Sequence, residues 1–277
     1  MTCVVDCRLI VDSPASGAWN MAVDEALLAD AADNGVATLR FYGWSEPTLS
    51  LGYFQSYEDR YSHPASRQCA VVRRQTGGGA ILHDRELTYG LALPPGHRLA
   101  RRSEQLYTAV HEAFIAALLP FIATNSAPWT LRRRAQDSKL RPDEEPFLCF
   151  QRRACGDVVA VPSPGLFAAA LQVNRSDQGE VKILGSAQRR HRGAILQHGS
   201  LLLERSPAAP ELAGLRDLTG VAICIAELVE NLADRLSEIL GVRYSRPGIS
   251  SDLKSLESNV EVLTNTKYGA QSWTKRR

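Results

Sequence analysis

The alternation of apolar and polar positions along the chain predicts short strands interleaved with helices. A first helix is predicted from Ser16 to Gly35, because apolar side chains recur on one face and glycine suits the position that ends a helix. A second begins at Ser103, with apolar residues every three to four positions and Pro120 near its end. Strands are predicted at 3–12, 37–44, 48–54, 69–76, 79–83, 87–93, 148–151, 157–161, 166–174, 182–190 and 194–204.

Two connections in this pattern carry predictions of their own. Asp84-Arg85-Glu86 separates two apolar runs and is expected to close a hairpin between strands 79–83 and 87–93. Residues 125–147 contain prolines and charges of both signs, so they are expected to form a long surface loop. Loops of this length often have a function.

From Pro207 onward the pattern becomes helical. One apolar stripe runs from Ile225 to Leu240, and a second runs from Leu253 to Leu263. Many strands with interspersed helices, without strict β–α–β alternation, predict an α+β fold. Since no linker interrupts the pattern, we expect one domain over 1–277, in which 205–277 is a helical C-terminal extension.

The composition narrows the possible classes of protein. The 277 residues include 32 Lys and Arg against 30 Asp and Glu, a net charge of +2 that excludes a strongly basic nucleic-acid coat protein. No uninterrupted apolar run approaches the roughly 18 residues that span a bilayer. The N-terminus has Asp6 within its apolar stretch and lacks a basic region, unlike a signal peptide. We therefore expect a soluble, cytoplasmic protein without a nucleic-acid or membrane partner.

The six cysteines are scattered and form no CxxC pair, so a disulfide scaffold is not expected. Cys149 follows the long loop, and Cys155 lies just after Arg152-Arg153. Cationic neighbours favour the reactive thiolate of a cysteine, but an isolated cysteine is more often an inert, buried residue. Composition and spacing alone do not decide between these alternatives.

Several other segments are candidates for chemistry. The glycines at 77–79 follow two arginines and would let the backbone approach a carboxylate or phosphate, although a plain glycine-rich connection fits equally well. Lys182 begins an apolar strand, where a lone lysine is usually solvated. A continuous strand would put His191 and His198 on opposite faces, so no metal site is expected. The arginine clusters at 132–134 and 189–192 lack the aromatic interleaving of nucleic-acid sites.

Several segments occur in a specific order over most of the chain: 20–28, 40–44, 47–55, 73–79, 83–84, 87–89, 182–188, 196–200 and tail residues 267–268, 273 and 276–277. Together they resemble the lipoate–protein ligase and octanoyltransferase superfamily, which shares its catalytic fold with biotin–protein ligases. The resemblance implies mixed, mostly antiparallel sheets with packed helices. It is closest to the cysteine-dependent octanoyltransferases, because Cys149-Phe150 matches the position of their nucleophile.

What this branch implies is a protein N-octanoyltransferase. Octanoate would pass from acyl carrier protein to Cys149, and from there to a lysine of a lipoyl domain such as glycine-cleavage H protein, without a cofactor. Lys182 would stabilise the oxyanion and the thiolate, and both partners are typically acidic proteins that the arginine clusters could dock. The residues expected to bind substrate are Arg74, Thr76, Gly77, Gly78, Gly79, His83, Gly185, Ser186, Ala187, Gln188, His198 and Gly199.

Other functions remain open at this level. An ATP-dependent lipoate–protein ligase would need ATP and Mg²⁺, and the triple glycine is common in ligases. An amidotransferase would move the octanoyl group between two lipoyl domains. A non-enzymatic module would only bind acylated lysine, which the presence of both Cys149 and Lys182 disfavours. His83 would either orient the glycine loop or assist proton transfer.

Overall fold

The computed structural model describes residues 5–123, 129–137, 144–163, 179–245 and 254–277. The helices are α1 (Gly17–Asp33), α2 (Ser103–Ala123), α3 (Leu215–Thr219), α4 (Ile225–Leu240), α5 (Glu257–Leu263) and α6 (Gln271–Thr274). The strands are β1 (Val5–Val11), β2 (Ala37–Tyr42), β3 (Thr48–Leu51), β4 (Ala70–Arg73), β5 (Ile81–His83), β6 (Glu86–Leu93), β7 (Trp129–Arg133), β8 (Val158–Pro162), β9 (Val181–His191), β10 (Ala194–Leu202) and β11 (Val242–Ser245). Short 3-10 turns include Cys149–Gln151.

The described strands form two sheets. The larger has eight strands in the order β11-β1-β2-β6-β10-β9-β8-β7, and the smaller has three in the order β4-β3-β5. Pairing is parallel at β11-β1-β2 and at β3-β4, and antiparallel elsewhere. This confirms the expected α+β fold with mixed, mostly antiparallel sheets.

Helices cover both faces of the large sheet. Because side chains alternate along a strand, Leu91 of β6 packs in the core with Phe114 of α2 and Leu232 of α4, whereas its neighbour Ala92 packs with Leu27 of α1. Ser16 caps the start of helix α1, because its hydroxyl accepts a hydrogen bond from the backbone NH of Trp19. Such a cap stabilises the end of a helix by about 1 kcal/mol.

Among the described residues, one helix is long and apolar enough to cross a membrane. It is α2, with 21 residues and a mean hydropathy of 1.6, and 44% of its apolar stretch is buried. Glu112 interrupts the run, so the sequence has no continuous apolar stretch there. Since Leu106, Val110 and Phe114 belong to the core that α2 shares with α4, the helix packs as a core helix does.

The structure corrects several predicted elements. The hairpin around Asp84-Arg85-Glu86 is wrong, because β5 pairs with β3 in the small sheet while β6 lies between β2 and β10 in the large one. The predicted loop 125–147 contains β7, and the predicted strand 148–151 is a 3-10 turn. The extension 205–277 is not purely helical, because β11 pairs with β1. Predicted strand 166–174 and Leu253 lie outside the described residues.

Candidate active site

Cys149 begins the 3-10 turn directly beside the glycine segment. Its backbone NH donates to the carbonyl oxygen of Ala80 at 2.7 Å, and the NH of Ala80 donates to Phe147 at 3.1 Å. This pair of hydrogen bonds fixes the cysteine to the residue that follows Gly79. The side chain of Cys149 is half-buried, so its sulfur is held in place and stays open to the cavity beside it.

Lys182 of β9 faces this cysteine. Its Nζ lies 3.8 Å from Cys149 Sγ, 3.4 Å from the carbonyl oxygen of Cys149 and 2.9 Å from Asp157 Oδ2. Burial lowers the pKa of Lys182, but the charges of Cys149 and Asp157 outweigh that effect and hold the pKa above its usual value. The buried lysine is therefore an ammonium group beside the sulfur, and not the solvated surface residue expected of a lone lysine.

Asp157 is a site residue that the sequence analysis missed. It is 1% exposed and precedes β8, and its carboxylate accepts hydrogen bonds from Tyr107 at 3.0 Å and from the backbone NH of Ala154 at 2.8 Å. These bonds orient the carboxylate that pairs with Lys182. The only sequence signal was an acidic residue immediately before an apolar strand, which is too common to single out a site.

Gly185 gives Lys182 its space. A Cβ at this position would lie 2.5 Å from Cε and 2.8 Å from Nζ of Lys182. Any larger residue would therefore push the ammonium away from its observed position. Gly185 was predicted to bind substrate. In the structure it makes room for the neighbouring ammonium of Lys182.

A cavity of about 340 Å³ adjoins the cysteine. Ten of the twelve residues predicted to bind substrate line it together with Cys149, and Thr76 and Gly79 lie just outside the lining. Apolar side chains complete its wall, and the size falls within the usual range of small-molecule sites. The lining residues are Met21, Tyr42, Trp44, Arg74, Gly77, Gly78, Ile81, His83, Thr88, Cys149, Phe150, Gly185, Ser186, Ala187, Gln188, His198, Gly199 and Ser200.

Arg74 holds the glycine segment in place through hydrogen bonds to its backbone. Its guanidinium donates to the carbonyl oxygens of Gly77 and Gly79 at 2.7 Å each, and to that of Ser50 at 2.8 Å. Burial lowers its pKa to about 10, so it stays protonated at neutral pH. Most of its donors are committed to the backbone, so Arg74 shapes the wall of the cavity. Gly78, with φ +91°, supplies the left-handed conformation that this segment needs.

Two buried histidines line the cavity. His198 lies between Asp24 and Thr76, with Nδ1 2.8 Å from the carboxylate and Nε2 2.8 Å from the hydroxyl. It thereby ties α1 to the start of the glycine segment. His83 stacks on Trp44 at 3.8 Å and lies 2.6 Å from Glu86 and 2.8 Å from the hydroxyl of Ser50, so its ring is fixed on three sides.

Ser186 takes part in a hydrogen-bond chain with one direction. His111 Nδ1 lies 2.7 Å from the carbonyl oxygen of Gly156 and must carry the proton there, so Nε2 accepts from the hydroxyl of Ser186 at 2.7 Å. Burial lowers the pKa of His111 to about 3, which keeps the ring neutral. Ser186 in turn accepts from Tyr89, whose oxygen accepts from Gln197. The hydroxyl proton of Ser186 is therefore engaged in a hydrogen bond to His111 within the wall of the cavity.

Comparison with known proteins identifies the family of the chain. Residues 16–212 match the family described as the lipoyl protein ligase A/B catalytic domain, so the chain belongs to that family. It is 33% identical over 98% of both chains to octanoyltransferase LipM of Kyrpidia tusciae, and 35% identical over 94% of both to octanoyltransferase LipM of Geobacillus kaustophilus. The chain is accordingly an acyltransferase of lipoate assembly.

Solved structures share the fold. A lipoate–protein ligase from Thermoplasma acidophilum with bound lipoic acid has a TM-score of 0.68 at 21% identity, covering 98% of this chain and 100% of the other. Lipoate-protein ligase A bound with ATP has a TM-score of 0.69 at 21% identity, covering 98% and 99%. At this identity the likeness concerns the fold.

Proposed function

We propose that the chain transfers an octanoyl group from acyl carrier protein, through a thioester on Cys149, to a lysine of a lipoyl domain. The observation that carries this proposal is the approach of the Lys182 ammonium to Cys149 Sγ, 3.8 Å apart, beside a largely apolar cavity. The curated relatives named octanoyltransferase LipM support the choice of acyl group. Glycine-cleavage H protein is a candidate acceptor.

The first step is a thioester exchange. The Cys149 thiolate attacks the carbonyl carbon of the octanoyl thioester, and an oxyanion forms on the carbonyl oxygen. Collapse of this intermediate breaks the bond to the carrier sulfur, which leaves as a thiolate and takes a proton from solvent. One thioester replaces another, so the step is close to balanced in free energy and needs no ATP.

Lys182 stabilises both charged species of this step. Its ammonium lies 3.8 Å from the sulfur, and the oxyanion forms two bonds from that sulfur, on the same side chain's thioester. Loss of one such donor typically slows a reaction by on the order of 100-fold. Asp157 keeps the ammonium aimed, because it holds Nζ at 2.9 Å while its other oxygen accepts from Tyr107.

In the second step the neutral ε-amine of the acceptor lysine attacks the thioester. A C–N bond forms, the C–S bond breaks, and Cys149 leaves as a thiolate while the amine proton passes to solvent. The product is an amide, which is more stable than a thioester, so this step is downhill. Two substrates that react in turn with one covalent intermediate predict ping-pong kinetics.

Mixing the chain with octanoyl–acyl carrier protein and measuring its intact mass tests the proposal. We expect an octanoyl adduct on Cys149, its absence in Cys149→Ala, and its retention in Cys155→Ser, a matched change at an exposed cysteine. Full ATP-independent transfer by Cys149→Ala would refute the proposal. Transfer that requires lipoate and releases pyrophosphate would identify a ligase instead. Adduct formation only from an octanoylated lipoyl domain would identify an amidotransferase.

A further inference from the structure

Most arginines of the two clusters predicted to dock acidic partners are occupied within the chain. Arg132 and Arg134 both pair with Glu180, and Arg133 pairs with Glu112. In the second cluster, Arg192 pairs with Asp33, and Arg190 donates to Ala100 and Ser103. Three carboxylates, on Glu180, Glu112 and Asp33, therefore compensate about half of the positive charge of the six arginines. In the part of the chain that the structure describes, Arg189 and Arg190 have no carboxylate partner, and Arg189 also lacks the hydrogen bonds that hold Arg190.

Arg189 belongs to a group of three arginines that lie around two aromatic rings. Arg276 lies 4.1 Å from the centre of the Tyr53 ring, and Arg189 lies 5.7 Å from the centre of the same ring. Arg277 lies 5.3 Å from the ring of Phe54, which is 67% exposed. Within the described residues, none of these three arginines forms an ion pair with a carboxylate. These five residues constitute the arginine–aromatic patch.

The arginine–aromatic patch borders the cavity. A Cβ at Gly77, a lining residue, would lie 3.8 Å from the ring of Phe54. Arg189 directly follows Gln188, another lining residue on β9. The arginine–aromatic patch therefore lies next to residues that line the cavity.

The C-terminal half of the patch is held rigidly against the small sheet. Buried Arg73 donates to the carbonyl oxygen of Thr274 at 2.9 and 3.1 Å, and Trp273 Nε1 donates back to the carbonyl oxygen of Arg73 at 2.8 Å. The ring of Trp273 lies 4.7 Å from the guanidinium of Arg276. Because these contacts fix the tail, the cations are presented in place before any partner arrives, which reduces the entropy cost of docking.

Charge decides which partner fits this surface. An acceptor brings the ε-ammonium of its lysine to the same cavity, and the three arginines beside that cavity repel the ammonium. A donor brings an uncharged thioester. An acidic carrier protein is therefore attracted by the arginines, and its reacting group is not repelled by them. We propose that the arginine–aromatic patch docks the acidic carrier protein that delivers the acyl thioester; this rests on the proposed function.

The two half-reactions test the assignment separately in the full chain. A triple variant carries Arg189→Gln, Arg276→Gln and Arg277→Gln. Its control is Arg235→Gln, because Arg235 is an exposed residue of α4, a helix that packs in the core with α2. Acylation of Cys149 is timed with octanoyl–acyl carrier protein and with a small neutral octanoyl thioester. Chains acylated by the small thioester are then mixed with lipoyl domain to time the second step.

We expect the triple variant to lose roughly tenfold or more in kcat/KM for the carrier-protein donor and to lose most of its salt dependence. Its rates with the small thioester and with the acceptor should stay within about twofold of wild type, and Arg235→Gln should match wild type throughout. Unchanged donor kinetics, or a loss confined to the acceptor step, would overturn the docking proposal alone. No acylation of wild type by either donor would overturn the proposed function and this proposal with it.

Discussion

Replacing Gly185 by alanine tests whether the position of the Lys182 ammonium controls the chemistry. The added Cβ would lie 2.5 Å from Cε and 2.8 Å from Nζ of Lys182, whereas its next contact, with Asp157 Oδ1, would be an ordinary 3.5 Å. Both close atoms belong to the flexible end of a side chain. The backbone can therefore keep its place on β9 while the ammonium moves away from Cys149.

The magnitude follows from the distance. Opposite unit charges 3.8 Å apart attract by about 4 kcal/mol at an effective dielectric constant of about 20. Moving the ammonium to roughly 6 Å leaves less than about 3 kcal/mol, a loss of roughly tenfold in rate before solvent screening at the half-buried sulfur reduces it. Loss of the oxyanion donor costs on the order of 100-fold. We expect acylation of Cys149 to slow by between about 10-fold and 100-fold.

Single-turnover acylation with octanoyl–acyl carrier protein, followed by intact-mass analysis, measures this rate. The matched control is Gly96→Ala, because a Cβ at Gly96 meets nothing within 4 Å. Thermal unfolding should show that both variants retain the stability of wild type to within about 1 kcal/mol. Acylation of Gly185→Ala at the wild-type rate would show that the position of the Lys182 ammonium does not control the acylation of Cys149.

Two further predictions concern titrating groups. Asp157→Asn removes a charge that raises the pKa of Lys182. In a pH–rate profile, the fall in the rate of Cys149 acylation on the basic side should therefore begin at a lower pH than in wild type. An unshifted basic limb would contradict the pairing of Asp157 with Lys182. His111 has its pKa lowered to about 3, so below about pH 6.5 the unfolded chain binds a proton that the folded chain does not, and stability should fall toward acid by up to about 1.4 kcal/mol per pH unit. Urea unfolding at several pH values should show a shallower dependence for His111→Gln, and equal slopes would contradict the argument.

The predicted helices agree with the structure where the spacing of apolar residues alone is enough to identify a helix. The stripe from Ile225 to Leu240 forms α4, and the segment from Ser16 to Gly35 contains α1. Pairing between strands is a different matter, because alternation says which face of a strand is buried but not which strand lies beside it. The apolar runs on both sides of Asp84-Arg85-Glu86 fitted a hairpin, yet they belong to different sheets.

The candidate site depends on contacts between distant segments. Cys149 and Lys182 were predicted through resemblance, since neither spacing nor composition relates residues 33 positions apart. Asp157 was missed, because its role arises from Tyr107 and Lys182 converging on it in space. The arginine clusters were visible in the sequence, but the carboxylates that compensate them were not assignable without the fold.

The directed hydrogen-bond chain through Ser186 limits how this active site can evolve. Gln197 donates a hydrogen bond to Tyr89, Tyr89 donates to Ser186, and Ser186 donates to His111. A substitution that reverses or removes one donor leaves its buried neighbour without a partner, at a cost of about 1 to 3 kcal/mol. Changes at these positions are therefore epistatic, and a variant lineage would have to exchange them in compensating groups and not one at a time.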